Sequence, residues 1–71
     1  MNAKIISFLQ EAIRRKGTSY ARLSEMTGIS KRRIERIFLQ GAVIRARELI
    51  RLSAALEVKQ DELMALLDPA A

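Results

Sequence analysis

Four cations stand within six positions of the stretch SEMTGISKRRIERI, residues 24–37: Lys31, Arg32, Arg33 and Arg36. Ile29, Ile34 and Ile37 are threaded among them. A guanidinium is a planar fork that donates two parallel hydrogen bonds, which suits a phosphate or the O6/N7 edge of guanine. An ammonium offers the same acceptors a compact point charge. The chemistry on offer is recognition of an anionic surface. On a helical wheel at about 100° per residue, Ile34, Ile37 and Phe38 share one side, and Arg32, Glu35 and Arg36 fall opposite. Lys31 and Arg33 flank that outer arc, one on each side, and Leu39 also lies on it. The segment therefore reads as a helix with a narrow apolar floor and a broad, mostly basic roof.

Other chemistries find little support. The chain has no cysteine and no histidine, which excludes disulfides and cysteine–histidine zinc sites. No glycine-rich phosphate loop is present, and Asp61, Glu62 and Asp68 read as helix-end residues. Neither an enzyme nor a bound cofactor or metal is expected. At 71 residues the chain is one small domain, 1–71, or a piece of something larger. A core this thin leans on helix packing and on a partner subunit.

Net charge is +5, and its placement is uneven. From Arg14 to Arg51, eleven bases face only Glu25, Glu35 and Glu48, whereas from Glu57 onward Lys59 alone faces four acids. A basic body with an acidic tail suits a binder of acidic polymers. The N-terminal IISFL run is too short and too soon interrupted by Gln10 and Glu11 to be a signal peptide or membrane span. A cytoplasmic protein is expected.

The elements that must position the cations are helices. Gly17, Gly28 and Gly41 each follow an apolar-periodic segment, as C-cap glycines do, and β-branched alternation is missing. An all-α domain follows. Helix one is expected over 3–16, with Ile5, Leu9, Ala12 and Ile13 as its apolar stripe and Arg14, Arg15 and Lys16 complementing its dipole. Helix two is expected over 20–26, capped by Ser19, with Leu23 and Met26 inward. Thr27-Gly28 makes a tight turn, and Ser30 caps helix three over 31–39. After a loop over 40–45, helix four is expected over 46–56, with Leu49, Leu52, Ser53 and Leu56 inward, and a last helix over 60–67 with Asp61 and Glu62 in its first turn.

Two short helices joined by a tight glycine turn, the second with a basic outer face, describe a helix-turn-helix over about 19–39. Here the chain resembles the Cro/CI-type, or XRE, helix-turn-helix repressor family. That family's pattern is a small polar residue, Gln, two variable residues, Leu-Ala, three variable residues, Gly-Val-Ser, three more, then Ile. It is met here by Ser19, Tyr20, Ala21-Arg22, Leu23-Ser24, Glu25-Met26-Thr27, Gly28-Ile29-Ser30, Lys31-Arg32-Arg33 and Ile34. LIRLSAALEVKQDEL, residues 49–63, looks like the family's fourth helix and the start of its fifth, where the usual pattern is Ala-x-Ala-Leu, Gly-Val and Asp-Glu-Leu. Three departures stand out: Tyr20 replaces the family's glutamine, Phe38 its common glutamate, and the loop Gln40-Gly41-Ala42-Val43-Ile44-Arg45 has no proline and is one residue longer.

The resemblance implies a compact five-helix, lambda-repressor-like domain and a sequence-specific transcriptional regulator, a repressor by family habit, bound to double-stranded DNA. Helix three would lie in the major groove, with Lys31, Arg32 and Arg36 as base readers. Glu35 would either accept from a cytosine amine or pair with Lys31 or Arg32 on the helix surface. Tyr20, Ser30, Arg33, Arg45 and Arg47 would hold phosphates, which set register without reading sequence; Tyr20 could equally be a packing residue. The last helix is apolar nearly all round, so Leu63, Met64, Leu66 and Leu67, with Val43 and Ile44, are expected to form a homodimer surface. Such dimers bind pseudo-palindromic half-sites about one helical turn apart. An antirepressor or antitoxin-like module that grips another protein is the alternative on the same fold. It would call for an apolar or acidic outer face on helix three, where this one is basic.

Overall fold

The computed structural model describes residues 2–67. It contains α1 (Asn2–Lys16), α2 (Tyr20–Thr27), α3 (Lys31–Gln40), α4 (Ala46–Ala55) and α5 (Gln60–Leu67), and no strand among the described residues. Side chains are described from Ala3 to Leu66, so the expectation placed on the Leu67 side chain, and that on Asp68, lie outside the described residues.

The caps are those the residue types predict. Ser19 Oγ accepts the Arg22 N–H at 3.2 Å and Ser30 Oγ accepts the Arg33 N–H at 3.1 Å, each satisfying one backbone donor that a helix start leaves open. Gly17, Gly28 and Gly41 all close a helix at positive φ. The end of α4 uses the same left-handed geometry without glycine: Glu57 has φ 56°. Around it, the Glu57 N–H donates to the Ala54 carbonyl and the Val58 N–H to the Ser53 carbonyl, the paired bonds of a Schellman closure. This is why α4 stops at Ala55, one residue short of expectation.

Leu9, Leu23, Ile34, Ile37 and Leu52 are fully buried, so α1 to α4 each contribute to one core. α2 packs against both α3 and α4, and α1 packs against α3. Leu63 on α5, Val58 before it and Ile44 in the α3–α4 loop pack on that core from the rim.

One inward assignment needs correction. Met26 is 53% exposed, and Thr27 takes the inward place. Thr27 Oγ1 donates to the Leu23 carbonyl at 2.6 Å and accepts the Ile29 N–H at 3.2 Å. The Ile29 amide has left the helical ladder and is buried at the turn, where a missing acceptor costs ~1–3 kcal/mol. A threonine supplies that acceptor, and a methionine cannot.

Candidate nucleic-acid interface

Ser30 opens α3 immediately after the turn, so the first helical residues carry the cations. Ile34, Ile37 and Phe38 are buried beneath, and Lys31, Arg32 and Arg36 are exposed above. Arg32, Glu35, Arg36 and Gln40 line one depression on that outer face. Lys31 Nζ stands 3.9 Å from Glu35 Oε2, a long surface ion pair worth a few tenths of a kcal/mol. Among the described residues, Arg32, Arg36, Arg45 and Arg47 have no side-chain ion pair. These four guanidiniums, on α3, the following loop and the start of α4, make an anion-attracting surface.

Arg33 behaves differently. Its Nε donates to Glu48 Oε2 at 2.7 Å, and its Nη2 donates to Glu48 Oε1 at 2.9 Å and to the Val43 carbonyl at 2.8 Å. Glu48 Oε1 also accepts the Arg45 N–H at 2.9 Å, which closes the open start of α4. One carboxylate thus joins α3, the α3–α4 loop and α4. Burial alone would push the Glu48 carboxyl up, yet it is held below its ordinary range, chiefly by the Arg33 hydrogen bonds and further by the Arg45 amide. The sequence expectation gave Arg33 to a phosphate; the fold gives its Nε and Nη2 to an internal partner. Glu48 lies fifteen residues away, and local spacing gives no signal of the pair.

Tyr20 opens α2 half-buried, its ring stacked on Phe38 with centroids 5.6 Å apart and planes 9° from parallel. Two of the three departures from the Cro/CI pattern therefore meet in space and form one aromatic pair, a contact worth ~0.5–1.5 kcal/mol beyond its buried area. Gln10 on α1 donates to the Phe38 carbonyl at 3.1 Å and ties the same end of α3 to α1. Packing is thus an observed role of Tyr20. Ser30 is exposed, with its oxygen engaged as a cap.

Sequence reasoning also missed Arg51, whose Nη1 donates to the Thr27 carbonyl at 3.4 Å and braces the turn from α4. Of the residues expected at a dimer surface, Val43 is 75% and Met64 56% exposed, whereas Ile44, Leu63 and Leu66 are half-buried. Ile50, unremarked in the sequence, is 66% exposed on α4. No helix among the described residues is long and apolar enough to cross a membrane.

A helix-turn-helix family model, HTH_3, matches residues 9–63, which takes in α2, the turn, α3 and α4 entire. No curated protein and no solved structure matches the chain.

Proposed function

The chain belongs to the Cro/CI-type (XRE) helix-turn-helix family of DNA-binding transcriptional regulators, and we propose that it is a sequence-specific repressor that lays α3 in the major groove. The observation that carries this reading is the cationic outer face of α3 standing over a fully buried apolar floor. The major groove admits an α-helix and shows each base pair a distinct donor and acceptor pattern. Lys31, Arg32 and Arg36 read bases, and cations in place of amides favour guanines in each half-site, each good pair discriminating by ~1–3 kcal/mol. Glu35 stays with Lys31 or turns to a cytosine amine. Tyr20, Ser30, Arg45 and Arg47 hold phosphates. Arg33 contributes by positioning, because its pairing with Glu48 and Val43 fixes the loop that carries Arg45.

The protein acts in the cytoplasm as a homodimer on a pseudo-palindromic operator. The exposure of Val43 and Met64 supports the homodimer, with Ile44, Leu63 and Leu66 completing the contact.

The test is selection from a random duplex library at near-physiological salt, followed by sequencing. The expected result is a guanine-containing inverted repeat with half-sites about one helical turn apart. Binding without an enriched motif would leave only the salt-sensitive phosphate attraction and would overturn sequence-specific repression.

A further inference from the structure

Leu39 is 67% exposed in the last turn of α3. It is not at the margin of the basic face but within it. At about 100° per residue, Leu39 lies within about 20° of Arg32 on the helical wheel, and Arg36 lies just beyond Arg32. Seven residues separate Arg32 from Leu39, about 10 Å along the helix at ~1.5 Å per residue. The helix ends at Gln40, and Gly41 turns the chain at φ 70°. An aliphatic side chain has no phosphate or hydrogen-bonding use on a polar face. The one apolar group that the major groove presents is the thymine 5-methyl, which distinguishes a T·A pair from the other three.

We propose that Leu39 reads a thymine methyl in the same groove that Arg32 and Arg36 enter, at a base pair further along that groove than the one Arg32 contacts, since it lies ~10 Å further along the same helix face. This rests on the reading of α3 as the major-groove helix. Arg32 and Arg36 supply hydrogen-bond recognition, and Leu39, following Arg36 along α3, supplies methyl recognition. Half-site sequence choice then extends beyond what the cations alone can specify.

The experiment replaces each thymine of a selected operator half-site by deoxyuridine, which removes the methyl and leaves every hydrogen-bonding group in place. Wild type, Leu39→Ala, Leu39→Met, Arg32→Ala and Arg36→Ala are compared on each duplex. Leu39 is largely exposed, so its variants fold, which thermal unfolding checks. The expected result is one thymine per half-site at which the uracil duplex binds wild type about fourfold more weakly, the value of one buried methyl. Leu39→Ala removes that sensitivity and Leu39→Met retains it. Sensitivity at no thymine, or sensitivity that survives in Leu39→Ala, would overturn the proposal. So would equal weakening of Leu39→Ala on every duplex, or a change in self-association instead. If Arg32→Ala and Arg36→Ala relax specificity while Leu39→Ala does not, the methyl contact alone fails. If no variant changes specificity, the groove assignment of α3 fails with it.

Discussion

Two sides of α3 carry the same residue type to different ends. On the flank facing α4, Arg33 is enclosed by a carboxylate and a carbonyl, its side chain 25% exposed. On the outer side, Arg32 and Arg36 have no anionic partner among the described residues. The difference does not come from α3 itself, where the three arginines lie within five consecutive positions. It comes from Glu48, which α4 brings up on one side only. A guanidinium whose charge and donors are satisfied internally organises the fold, whereas one left unsatisfied attracts an external anion.

The widest separation between the two sides is expected in DNA binding. In a homodimer on two half-sites, Arg32→Ala or Arg36→Ala removes two contacts of ~1–3 kcal/mol each, so binding to the selected operator should weaken by at least about 30-fold while the unfolding temperature stays unchanged within error. Gel-shift titration and thermal unfolding measure the two quantities. Equal losses on operator and random duplex would place these residues on phosphates instead.

The inner side should answer in stability. Glu48→Ala strands Arg33 and the Arg45 amide, and urea denaturation should report a loss of about 2 kcal/mol. That is less than for a fully buried pair, because Arg33 can partly rehydrate. The same pair sets a pH dependence. The carboxyl of Glu48 is lower in the fold than its ordinary value of 4.5. Its contribution is therefore complete above that ordinary value and is lost as pH falls through the lower, folded one. Wild type should lose more stability than Glu48→Gln between about pH 5 and pH 3. Parallel curves would mean that the pair contributes nothing.

Salt dependence sharpens the contrast further. Each phosphate contact adds about 0.9 to the slope of log affinity against log salt. Arg45→Gln should lower the slope by about that much in each half-site of a homodimer, whereas Arg33→Gln, measured where it remains folded, should lower it by less, because Arg33 acts only through the loop that carries Arg45.

The smallest effect concerns the end of α4. Glu57 holds a left-handed backbone that costs a non-glycine residue ~1–2 kcal/mol, partly offset by its exposed ion pair with Lys16. Glu57→Gly should raise stability by about 0.5–1 kcal/mol without altering DNA affinity.

What the sequence made legible was set by local periodicity. The caps Ser19 and Ser30, the three closing glycines and the buried Ile34–Ile37–Phe38 floor all follow from neighbours within one or two turns. The outward display of Lys31, Arg32 and Arg36 follows from the same period. What was not legible depends on contacts between distant segments. The Arg33–Glu48 pair joins α3 to α4, the Tyr20–Phe38 stack joins α2 to α3, and Arg51 reaches the turn from α4. Met26 and Thr27 failed for a different reason. Both fit an inward position by spacing from Leu23, and the hydrogen-bond demand of the buried Ile29 amide decided between them.

The most direct test of α3 as a major-groove reader is methylation interference on the duplexes that wild type retains. Methylating guanine N7 blocks the acceptor that an arginine fork needs in the major groove, whereas methylating adenine N3 blocks the minor groove. Interference at guanine N7 in each half-site, lost at the corresponding guanine in Arg32→Ala or Arg36→Ala, is the predicted result. Interference confined to adenine N3, or absent at every base, would contradict it.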